Sequence, residues 1–165
     1  MDLGHLLFGF SGRINRAKYW LWVLLYLIAA IIVGVVVFVI SSPMVGNLPI
    51  AGNLVQLAFS IAAFVSSLAV VTKRLHDRAK SAAWLIVYVL IPSILLGVGA
   101  GMALYGYGAM VGGGGGGDLG GVGTIGGLLV LASFVFLIWA FVDLACLRGT
   151  IGPNQYGPDP LEGKF

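Results

Sequence analysis

Apolar positions in this chain do not alternate or recur at helical spacing; they run unbroken. Four such runs stand out, at about 19–40, 50–72, 83–105 and 124–146, with polar or glycine-rich segments between them. The first carries no charge, and the second has Asn53 and Gln56 near its start. The third contains Pro92, and the fourth one acid, Asp143. A helix needs about 20 apolar residues to cross the roughly 30 Å hydrocarbon core of a bilayer. Backbone N–H and C=O groups in lipid must be paired within the segment, so each run predicts a helix rather than an open strand. The fold expected is therefore an all-α membrane protein, a single membrane domain over 1–165 with four transmembrane helices. Charged residues are only 9% of the 165, against about 25% in soluble domains, which excludes a soluble bundle. The first run is too long for a signal-peptide core and has no convincing small-residue cleavage site, so it is expected to remain as a span.

Charge then orients the spans. Arg13, Arg16 and Lys18 precede the first, and Lys73, Arg74, Arg78 and Lys80 separate the second from the third. Arg148 and Lys164 follow the fourth, completing the nine Lys and Arg of the chain. The other two loops, 41–49 and 106–123, have none. Four spans place all three basic segments on one side, and the positive-inside rule makes that side cytoplasmic, with both termini there. Tyr19, Trp20, Trp22 and Trp84 at the cytoplasmic ends, and Tyr105 and Tyr107 opposite, suit the headgroup level.

Close helix approach in lipid depends on small side chains. Ala58, Ala62 and Ser66 in span two, Ala30 and Gly34 in span one, Gly97/Gly101 in span three and Gly123/Gly127 in span four recur at the required spacing. The glycine-rich loop 106–123 is expected to be a flexible tether. It lacks the Lys-Ser/Thr that a phosphate-cradling loop requires. Cys146 cannot form an internal disulfide. With two histidines, His5 and His76, and one cysteine, a metal site of three or four such ligands is not expected. No cofactor is implied.

Chemistry concentrates in three segments outside the runs. The first is Phe10-Ser11-Gly12-Arg13-Ile14-Asn15-Arg16-Ala17-Lys18-Tyr19-Trp20, where Ser11 or Asn15 would cap the following helix. Upstream of it, 6–10 is too short to span and is expected at the interface. The second is Lys73-Arg74-Leu75-His76-Asp77-Arg78-Ala79-Lys80-Ser81. The third, Arg148 to Pro160, has a Gly and Pro density that forbids a helix, while its Asn154 and Tyr156 point to ordered turns.

In this order the three segments resemble a family of small bacterial inner-membrane proteins, the YhaH type, known as domain of unknown function 805. The resemblance rests on Phe10, Gly12, Arg13, Arg16, Tyr19 and Trp20; on Arg74, Leu75, His76, Asp77, Ser81 and Trp84; and on Gly149, Thr150, Gly152, Asn154 and Tyr156 to Pro160. Lys73 stands where the family often has Arg, and Ala79, Ala82 and Ala83 replace its Gly or Trp, so the central turn is expected to be more helical here. The family implies an inner-membrane location and supplies no reaction, ligand or partner.

His76 beside Asp77 invites a catalytic reading. Sequence neighbours do not face each other on a helix, however, and no nucleophile has a matching motif. A structural turn that pairs with nearby arginines is the blander alternative. Asp143 lies at a helix C-terminus, where the dipole disfavours an anion; it calls for a cation, Lys73, Arg74 or Arg148, or else serves as a relay. The favoured reading is a non-enzymatic membrane protein with one polar cap built from Arg13, Arg16, Arg74, His76, Asp77, Asp143, Asn154, Tyr156 and Asp159. That cap would bind an anionic phospholipid headgroup or a protein partner. Membrane lipids and a homo-oligomer or membrane-protein partner are the expected company, and nucleic acid is not. A small transporter or channel subunit, or a lipid-modifying enzyme using His76 and Asp77, are the alternatives.

Overall fold

A computed structural model of the chain describes residues 2–43, 45–112 and 119–162. They form two compact units, Met1–Ser81 with Arg148–Phe165, and Ala82–Leu147. Among the described residues, four helices are long and apolar enough to cross a membrane.

The first unit contains α1 (Leu3–Phe8), α2 (Arg16–Ser41) and α3 (Pro49–Asp77), followed after the break by the turn-rich tail from Arg148. Asn15, not Ser11, caps α2: its Oδ1 accepts from Lys18 N at 3.0 Å. Pro49 opens α3, where its missing N–H is no loss. Of the segment 6–10 expected at the interface, Leu6 to Phe8 belong to α1, which is capped by Asp2 and packed on α3.

Helix α3 runs about five residues past the apolar stretch, so Lys73, Arg74, His76 and Asp77 are helical rather than loop. Charged side chains with protein partners let a helix continue beyond the lipid. Past Asp77 the chain leaves the helix in a turn. Ala79 N bonds His76 O and Lys80 N bonds Leu75 O, which closes α3 in a Schellman motif with Ala79 at φ 55°.

Most large apolar side chains of α2 and α3, such as Leu27, Ile31, Val35, Ile61 and Phe64, face outward, as lipid-exposed positions do. The small buried core sits at the charged end: Leu6, Ile14 and Val70, with Tyr19 and Trp22 packed against it. Helices α2 and α3 meet through a ladder of rings, Tyr19, Trp22, Tyr26 and Phe59, and Trp22 Nε1 donates to Ser66 at 2.9 Å. These rings hold the helices apart, so Gly34 faces open space and Ala58 and Ala62 are exposed, contrary to the expected small-residue seam. Close approach comes instead at the other end, where a Cβ on Gly52 would strike Ser41.

In the second unit a π-helical segment, Ile86–Leu90, leads into α4 (Ile91–Val111), and α5 (Leu119–Phe141) ends in another, Val142–Cys146. The widened turn accommodates Pro92, whose ring in a regular helix clashes with the carbonyl four residues back. The glycine loop expected over 106–123 is thus helical to Val111 and again from Leu119; its 113–118 portion lies outside the described residues. The α4–α5 contact uses Gly99 and Gly126: a Cβ on Gly99 would stand 2.8 Å from Gly126 O, and one on Gly126 would strike the backbone at Ala103. Gly97, Gly101 and Gly127 face open space. Two residues turn a helix by about 200°, so Gly99 lies on the face opposite the expected pair.

Candidate functional site

All the residues of the expected cap except Asp143 lie in the first unit, and Asp77 is the centre of the group. As the last residue of α3 it is placed beside Arg74 one turn earlier, and its Oδ2 accepts from Arg74 Nη1. Its Oδ1 accepts from Arg13 Nε at 3.2 Å and Nη2 at 3.1 Å. The three side chains are essentially dry, 1% exposed for Arg13, 4% for Asp77 and none for Arg74. One carboxylate thus holds two buried guanidinium groups, and their remaining N–H groups need other acceptors.

The C-terminal tail supplies them for Arg13, and Ile14 O, 3.4 Å from Nη1, accepts from Arg74. Arg13 Nη1 donates to Gly152 O at 2.8 Å and Gly157 O at 3.3 Å, and Nη2 to Thr150 O at 2.7 Å and Thr150 Oγ1 at 3.1 Å. Gly152 and Gly157 have φ of 80° and 134°, a conformation open to glycine that turns both carbonyls toward Arg13. Thr150 in turn donates to Asp77 O from its backbone N (2.8 Å) and Oγ1 (3.1 Å). Gly149 passes so close to the Asp77 carboxylate that a Cβ there would overlap it.

Asn154 Nδ2 donates to His76 O and Thr150 Oγ1, both at 3.0 Å, while its Oδ1 accepts from Tyr156 N. The Tyr156 ring stacks flat on His76, with centroids 3.9 Å apart and 4° between planes. His76 Nδ1 lies 3.3 Å from Gly12 O. His76 therefore pairs with a ring and a carbonyl rather than with the arginines, which Asp77 engages. Asp159 closes the tail, accepting from Gly152 N at 2.9 Å and Leu161 N at 3.0 Å. These two donors, Leu161 first, hold its carboxyl below the ordinary range.

Arg16 is exposed and lines a hollow with Asn15, Arg74, Asp77, Arg148 and Thr150. Its volume is about 20 Å³, room for about one water. Asp143 is buried in the second unit, where the Tyr88 hydroxyl donates to Oδ2 at 2.9 Å. Trp139 packs edge-on against Tyr88 and Trp84. Among the described residues, no group of three or more His, Cys, Asp or Glu could hold a metal ion.

Sequence reasoning missed two participants. Lys73 is fully buried, and its Nζ donates to the carbonyls of His5 (2.7 Å) and Leu6 (2.6 Å). It thereby joins Gly9 N on the His5 carbonyl, takes up that of Leu6 in the last turn of α1, and fastens that helix to α3. Thr150 is a hub for Arg13, Asn154 and Asp77. Its place in the third segment was visible, but nothing in spacing tells which partners a hydroxyl will take.

Helices and cap together define a multi-pass α-helical membrane protein whose chain-distant charged segments close on one carboxylate. The family described as "Protein of unknown function (DUF805)" matches residues 7–158, and the chain belongs to it. It is similar to the uncharacterized protein YiiR of Escherichia coli, 28% identical over all of this chain and 94% of that protein. It is also similar to the E. coli inner membrane proteins YhaI, 28% identical over 94% of this chain and 88% of that one, and YhaH, 26% over 92% and 87%. No solved structure matches. With its four spans, the chain is a multi-pass inner-membrane protein.

Proposed function

We propose that the cap faces the cytoplasm and binds the headgroup of an anionic membrane lipid on its outer surface, without catalysing a reaction. The observation that carries this reading is the division of cations within the cap. Arg13 and Arg74 are buried in the Asp77 network, whereas Arg16 and Arg148 stand exposed around its edge. The 20 Å³ hollow between them is far below the roughly 300–1,000 Å³ of small-molecule pockets. Such a notch suits surface contact with a phosphate rather than enclosure of a substrate. Orientation is supported by the confinement of all nine basic residues to three of the five non-spanning segments.

Native mass spectrometry of the detergent-solubilised chain should show retention of phosphatidylglycerol over phosphatidylethanolamine. Each surface cation is worth about fivefold in affinity for anionic lipid, so Arg16→Gln with Arg148→Gln should erase most of that preference. Equal retention of the two lipids by the natural chain would overturn the reading. A reporter active only in the periplasm should be silent when fused after Phe165 and active when inserted at Gly115.

A further inference from the structure

Beneath the cap, a groove of about 270 Å³ opens between α1, α2 and α3. Leu7 and Phe8 of α1 roof it, Tyr26 and Ala29 of α2 form one wall, and Phe59 and Ala63 of α3 form the other. Next to it, toward the charged end, Lys18 and Leu21 of α2 line a second hollow of about 210 Å³ with Leu3 and Leu6 of α1. Lys18, Leu21, Trp22, Leu25, Tyr26 and Ala29 follow the helical repeat, so they make one stripe down α2 with a cation at its top. From Lys18 to Ala29 that stripe descends about 16 Å at 1.5 Å per residue. This is half of the roughly 30 Å hydrocarbon core, the depth of one leaflet.

We infer that this groove is a built site for one acyl chain of an anionic phospholipid from the leaflet adjoining the cap, with the headgroup phosphate at Lys18. Three features select that occupant. The walls are mostly apolar, and the Ser66 hydroxyl on one of them already accepts from Trp22 Nε1, so the groove favours an apolar occupant over a polar one. A helix about 10 Å across and as long as the stripe would fill roughly 1,200 Å³, more than twice what the two hollows of about 270 and 210 Å³ hold together, so a spanning segment of a second copy does not fit. A cation at the upper end of an apolar slot one leaflet deep matches a lipid whose charge sits at the headgroup level. The slot exists because the Trp22, Tyr26 and Phe59 rings hold α2 and α3 apart while Lys73 keeps α1 over the opening.

The inference deepens the cap reading and rests on it for the choice of an anionic lipid, but it adds a chain-binding site and a different cation. It is tested by native mass spectrometry of the whole chain titrated with dipalmitoyl-phosphatidylglycerol, dihexanoyl-phosphatidylglycerol and dipalmitoyl-phosphatidylethanolamine. The natural chain should retain the long-chain phosphatidylglycerol best. Ala63→Phe fills the groove and should lower its retention to that of the dihexanoyl lipid; Ala29→Leu, on the opposite wall, should do the same if the first variant fails to fold. Lys18→Gln should reduce the glycerol-over-ethanolamine preference about fivefold and leave the chain-length dependence intact. Chain-length dependence unchanged in both groove-filling variants would overturn the inference, as would a lipid-free dimer as the dominant species. If Arg16→Gln with Arg148→Gln abolishes the headgroup preference while the groove variants do nothing, the cap reading stands and the groove falls. The reverse pattern sinks the cap reading and leaves the groove.

Discussion

Replacing Asp77 by asparagine removes one charge and almost nothing in shape, yet it should destabilise the chain by about 3 kcal/mol. The starting point is the roughly 3–5 kcal/mol lost when one partner of a buried ion pair is deleted and the other is left uncompensated. Here two guanidinium groups are left, those of Arg13 and Arg74, both on a carboxylate 4% exposed. Two features reduce the penalty. Asparagine keeps one acceptor oxygen, and Arg13 retains the carbonyls of Thr150, Gly152 and Gly157. The low end of the range is therefore expected. For a chain of this length 1 kcal/mol corresponds to about 2–4 °C in Tm, so thermal unfolding in dodecyl maltoside should fall by about 6–12 °C.

An independent route to the same damage is Gly149→Ala, because the added Cβ would occupy the space of the Asp77 carboxylate. If both substitutions act by separating the tail from α3, their combined effect should be clearly less than the sum. Limited proteolysis should then cleave after Arg148 faster in either variant. A Tm change under about 2 °C for Asp77→Asn, or full additivity with Gly149→Ala, would refute the view of Asp77 as the fastening point.

Three further outcomes follow from particular backbones and groups. Ala79→Gly should stabilise by about 1 kcal/mol, seen as a higher Tm, because a side chain in the left-handed region costs about 1–2 kcal/mol and Ala79 has φ 55°. Gly126→Leu should lower Tm by overpacking the α4–α5 contact, at a cost of about 1–3 kcal/mol, whereas Gly127→Leu should not, since Gly127 faces open space. Asp159 has a folded pKa depressed below the ordinary 3.8, so its support for the tail is fully present above 3.8 and is lost as pH falls through the lower folded value. Protease protection of the tail should show that acid-side loss in the natural chain and a flatter profile in Asp159→Asn.

The spans are legible in the sequence because lipid imposes a demand that needs no tertiary information: about 20 apolar residues and internally paired backbone. Their polar ends are not. Lys73 to Asp77 read as loop because they are charged, yet they are the last turns of α3, made dry by partners that come from residues 5–14 and 150. Composition does show that clustered arginines need interleaved acceptors. It does not show which carbonyl turns toward which guanidinium, since that depends on the φ of Gly152 and Gly157. Helix faces fail for a related reason. Glycine spacing marks a seam equally well on two sides of α4, and only the partner helix decides that Gly99 rather than Gly97 is used.

That dependence on partners explains why a membrane protein buries its charges at one end rather than its apolar residues throughout. Between spanning helices, apolar contact gives little specificity, because lipid tails are as apolar as leucine, and the outward-facing Leu27, Ile31 and Phe64 pack equally well against either. A guanidinium group removed from water has no such indifference. Arg13 satisfies its donors in the arrangement that brings Asp77, Thr150, Gly152 and Gly157 together, residues separated from it by 64 to 144 positions. Replacing this network by hydrophobic residues can be neutral or stabilising in a soluble protein. Here the same exchange would substitute lipid-like surface for the contacts that distinguish one packing from another. On that reasoning the N-terminal segment, the end of α3 and the tail belong to one device, in which each supplies what the other two leave unsatisfied.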